Sequence, residues 1–90
     1  MTQDDANEAM LDIDAQAEHA RTVEYNRFTR AYNEAQNLAD PAARRAAIRR
    51  VAGAHRDNLT AIAEAARNER LLLVEFTAKG GFNQPGATHI

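Results

Sequence analysis

Ninety residues make one domain, and a chain this short buries only about 60–65% of its unfolded surface, so its core is marginal. Hydrophobic residues are 44% of the chain, but 20 of them are alanines, which add little apolar area. A formal charge of -2 points neither to nucleic acid nor to a strongly basic partner, and the absence of cysteine excludes disulfides and thiolate chemistry.

The segment Met1 to Asp5 is acidic and polar, unlike a signal peptide. No run approaches the ~18 apolar residues that a membrane span needs. The expectation is a soluble chain, cytoplasmic at synthesis. Arginine outnumbers lysine ten to one, a compositional hint of a GC-rich bacterial or phage genome.

Thr2 and Asp5 form a capping-box signal, and Asp4, Asp5 and Glu8 suit the positive end of a helix. No glycine or proline follows before residue 38. Small or apolar residues recur at Met10, Ile13, Ala17 and Ala20, then at Phe28, Ala31, Ala35 and Leu38. Each set alternates steps of three and four, the mark of a helical seam. The step between the sets passes through Glu24, a four-residue stutter. The spacing predicts a helix over about 3–38, roughly 50 Å long at 1.5 Å per residue.

Asp40-Pro41 is the strongest punctuation, a preferred N-cap followed by the residue that best fits the first helical position. A second helix over about 41–79 is expected, antiparallel to the first because the connection is short. Its inner stripe reads Ile48, Val51, His55, Leu59, Ile62, Ala65 or Ala66, Leu72 or Leu73, and Phe76. Gly53 falls inside this helix, either as a tolerated surface glycine or packed closely against Tyr25 or Phe28.

The only dense apolar run is Leu71, Leu72, Leu73, Val74, Glu75 and Phe76. On a helix its members point in four directions, and one partner helix covers a stripe only about 100° wide. Some of these side chains therefore need a second surface. A strand over 71–77 is the rival reading, because β-branched and aromatic residues close the run. Lys79-Gly80-Gly81 has the residues of a helix C-cap, with Phe82 placed for the accompanying apolar contact. Residues 80–90 carry turn chemistry and are expected to form an extended tail, with Phe82 and Ile90 reaching onto a neighbour.

Charge is uneven. Residues 1–20 carry six acids and no base, a net -6, whereas residues 21–60 carry eight arginines against four acids, a net +4. A hairpin would be a rod with an acidic foot and a basic tip containing Arg44, Arg45, Arg49 and Arg50. Solvated helix faces with pairs such as Asp40–Arg44 are the plain reading; orientation of neighbouring rods is the functional one. Counting across a turn centred near 39–40 places His55 opposite Glu24, an expected buried polar pair that fixes helix register.

Catalytic parts are missing. With neither cysteine nor serine, threonine and tyrosine are the only hydroxyl nucleophiles. Two converging ligands fall short of the three or four that zinc takes. No enzyme activity, metal or cofactor is expected.

The sequence therefore reads as an all-α antiparallel two-helix hairpin over 1–79 with a tail over 80–90, packing in a homo-oligomer. The expected role is a structural or assembly protein, most specifically a scaffold, adaptor or capsid-associated part of a phage or bacterial particle. Its interface would be Leu71, Leu72, Leu73, Val74, Phe76, Phe82 and Ile90. The alternative is a small inhibitor or adaptor that docks its acidic N-terminal helix on a host protein. A weak nucleic-acid binder acting through the arginine tip is third.

Overall fold

Gln3–Gln36 forms one uninterrupted helix, α1, and Pro41–Ala78 forms a second, α2. They are the two elements of a computed structural model that describes residues 2–78. Helical structure runs through residues 71–78, so the strand alternative does not hold. The hydroxyl of Thr77, a residue type favoured in strands, donates to the Leu73 carbonyl at 2.9 Å and joins the helical ladder.

Both helix starts are capped by their own sequence. At α1 the Asp5 amide donates to Thr2 Oγ1 and the Thr2 amide donates to Asp5 Oδ2, each at 3.1 Å. The Thr2 backbone amide, and after it the Thr2 side chain, hydrogen-bond the Asp5 carboxyl and hold it below its ordinary pKa. At α2 Asp40 Oδ2 accepts from the Ala43 amide at 2.8 Å, and Pro41 opens the helix without an amide to strand.

The turn between them is longer than the sequence suggests, residues 37–40 rather than 39–40. α1 ends at Gln36 rather than 38, as the Asn37 amide turns back to Glu34 O at 3.2 Å and the Leu38 amide to Ala35 O at 3.3 Å. Leu38, expected to be the last seam position, lies in the turn and is 41% exposed. Arg44 Nη1 donates to the Leu38 carbonyl at 3.1 Å, so the expected Asp40–Arg44 pairing gives way to a bond that ties α2 back onto the turn.

The seam between the helices is built from alanine. Ala6, Ala17, Ala35, Ala47 and Ala66 are its buried hydrophobic residues, and among the described residues no large side chain is fully buried. Small side chains let two helices approach near the short end of the usual 8–10 Å range. They also leave little apolar area between them. A radius of gyration of 20.4 Å, against about 12 Å for a compact chain of this length, expresses the same shortage of core.

Gly53 faces open space: a Cβ built there meets nothing within 4 Å, so the glycine does not mark a close approach to Tyr25 or Phe28. Gly53→Ala is therefore expected to stabilise the fold by about 1 kcal/mol, raising Tm by roughly 4–8 °C. Thermal melts of the two chains at matched concentration check this. A lower Tm in the variant would mean that a neighbouring molecule occupies the open space.

Candidate functional site

The inner face of α2 takes one member of the apolar run and leaves the others out. Leu73, one turn past the Arg70 level, is half-buried against α1. Leu71, Leu72, Val74 and Phe76 are 51%, 65%, 52% and 47% exposed. The cause is the 100° step between neighbours. With Leu73 turned inward, Leu72 and Val74 point to opposite flanks and Leu71 points outward.

One flank continues into a trough along the hairpin. Near the foot a hollow of about 220 Å³ lies over Ile13, Ala17, Ala20, Ile62, Ala65 and Ala66, with Gln16 and Glu69 at its edge. A second hollow of about 420 Å³ adjoins it, sharing Ala20 and Ile62 and adding Val23, Glu24, Arg27, Asn58 and Ala61. Leu72 stands seven residues beyond Ala65, nearly two full turns, and so on the trough side. Val23, 54% exposed, edges the same trough on α1.

Halfway along, the alanine seam is interrupted by a polar cluster. Glu24 is only 5% exposed. Its Oε1 accepts from Arg27 Nε at 2.8 Å and from Asn58 Nδ2 at 2.9 Å. Its Oε2 accepts from Arg27 Nη2 at 2.7 Å and lies 2.8 Å from His55 Nδ1. The carboxylate thus holds a bidentate arginine from its own helix and two partners from the other. The Arg27 bonds, reinforced by His55 and Asn58, outweigh desolvation and hold the Glu24 pKa at about 2. The same pairing raises the Arg27 pKa.

The aromatic residues of α1 wall this cluster on the other flank. Phe28 stacks on the His55 ring at 4.2 Å, and Tyr25 meets it edge-on at 5.2 Å. Counting across the turn places only Glu24 and His55 at one level. Arg27 is reachable afterwards as an i+3 neighbour, but Asn58 carried no periodic signal.

At the foot Arg70 pairs with Asp14 across the helices, a contact that sequence reasoning missed. Glu18 pairs with Arg21 at 2.9 Å, and Asp5 belongs to the cap. Half of the six acids in residues 1–20 are therefore engaged within the chain. At the tip Arg45, Arg49 and Arg50 are exposed, whereas Arg44 is half-buried on the Leu38 carbonyl. The expected contacts of Phe82 and Ile90, the Lys79-Gly80-Gly81 cap and the tail over 80–90 lie outside the described residues.

Among the described residues no three His, Asp or Glu side chains converge as metal ligands, and no helix is long and apolar enough to cross a membrane. Comparison with protein-family models, with curated proteins and with solved structures returns no match to this chain.

Proposed function

We propose that this chain is a structural or assembly component, a helical hairpin that self-associates, with a phage or bacterial particle as its most specific setting. One observation carries the reading: four large apolar side chains of a single short run, Leu71, Leu72, Val74 and Phe76, stand about half or more exposed on the lone chain. A contiguous exposed cluster of this kind marks an interaction surface, whereas singly scattered apolar residues are ordinary. The alanine seam adds to the argument. It gives each copy too little buried area to be comfortable alone, and helix bundles meet that shortage by adding helices. The reading gives the chain no catalytic role.

Light scattering on the purified chain, followed from dilute to concentrated solution, tests it. A molar mass that rises to a multiple of the single chain is expected, with helicity rising alongside it. A folded chain of unit mass at every concentration would overturn self-association. That outcome would favour the alternative in which α1 docks on a different protein.

A further inference from the structure

Resting on that self-association, we infer that the occupant of the trough is a second copy laid antiparallel, its two-fold axis crossing the rods at the level of Ala20 and Ile62. The trough lies between the helices on one flank, and both of its hollows meet at these two residues.

Charge chooses the direction. Below the axis, residues 2–20 are net -6, and residues 61–78 add three acids against two arginines. Above it, residues 21–60 are net +4. Parallel stacking would lay acid on acid and base on base. Antiparallel stacking lays each acidic foot on a basic tip. Packed helix layers are about 10 Å apart, just beyond the ~8 Å Debye length at physiological salt, so screening weakens this preference and it is strongest at low salt. Such charge sets orientation more than affinity.

Shape agrees. On the trough side of α2, Ala54, Ala61, Ala65 and Leu72 recur at steps of seven, four and seven, a second seam beside the one that faces α1. Its large member is at the foot and its small members are at the middle and tip. Reversal about Ile62 carries Leu72, ten residues beyond it, to the level of residue 52 in the other copy, where Ala54 lies on the trough face. The most exposed leucine of the run, at 65%, then lies beside Ala54.

Distances between nitroxide labels test the arrangement cleanly, because the chain has no cysteine of its own. Asn7→Cys, His19→Cys and Asn33→Cys each place one label on an exposed position of α1. The antiparallel pair gives its shortest distance at 19. Labels at 7 and 33 should both be far apart, on the order of 40 Å, since each lies 13 residues from the axis at 1.5 Å per residue. Equal short distances at all three positions, or a steady change from 7 to 33, would overturn the antiparallel pair while leaving self-association standing. No dipolar coupling at any position, with unit mass, would sink both.

A second pair of variants tests the face. Ala65→Arg fills the trough and should abolish the coupling, whereas Ala63→Arg, which points away from it, should leave it unchanged. The reverse result would place the contact on another side of the hairpin.

Discussion

Leu72→Gln is expected to weaken self-association by about a hundredfold or more while leaving the helices of each copy in place. Leu72 is 65% exposed on the lone chain, so its loss removes little from the fold of one copy. Glutamine has nearly the helix propensity of leucine, so α2 is not weakened locally. In a symmetric pair the substitution counts twice. Fully burying a leucine is worth about 1.5–3 kcal/mol, and with 65% of each Leu72 left to cover, two of them contribute about 3 kcal/mol, or over a hundredfold in Kd. Leu73→Gln should act differently. Its leucine is half-buried against α1, so the variant should lose unfolding free energy at all concentrations. Leu71→Gln, turned some 100° from Leu72, should leave trough-mediated pairing close to the parent. Sedimentation equilibrium gives the dissociation constant and a denaturant titration gives the stability of each variant. An unchanged constant for Leu72→Gln would remove the apolar run from the interface.

The backbone was largely readable in advance because its signals are local. Thr2 with Asp5 and Asp40 with Pro41 supply the two starts, and no glycine or proline interrupts α1. The apolar period runs two residues past the end of α1 because Leu38 continues it. Arg44 donates to its carbonyl from the next helix, and a spacing rule cannot register such a bond. The composition of the seam was legible as an alanine excess, and the excess of exposed leucine follows from that shortage of area. What periodicity cannot carry is polar detail across the hairpin. Asn58 and Arg70 look like solvent residues in the sequence, yet one completes the shell around Glu24 and the other holds Asp14. Both depend on the tilt of one helix over the other. Residues 24 and 55 sum to 79, whereas 14 and 70 sum to 84, so no single register predicts both contacts.

Glu24→Gln is expected to destabilise the hairpin at neutral pH by about 2 kcal/mol, and the gap between variant and parent should close as the solution is acidified. The carboxylate is 5% exposed, and four bonds from Arg27, Asn58 and His55 converge on its two oxygens. A glutamine of the same shape keeps one acceptor and turns an amide donor toward groups that themselves donate. The sign follows from the depressed pKa, about 2 in the folded chain against an ordinary 4.5. The folded state binds its proton less readily than the unfolded one. The contribution is therefore complete above pH 4.5 and is lost as pH falls through about 2. A shift of that size corresponds to about 3 kcal/mol, and the 39% exposure of Arg27 returns part of it to solvent screening. Glu24→Leu separates strength from register. A leucine that packs into the seam costs little or even stabilises, because buried ion clusters often do no better than apolar side chains of similar size. The leucine no longer ties α1 to one level of α2, however, so helix–helix distances should broaden although the melt does not fall. Denaturant titrations of all three chains from neutral pH down to about pH 2, at one protein concentration, decide the matter. A gap between Glu24→Gln and the parent that stays constant over that whole range would show that the carboxylate's charge is not what its neighbours hold.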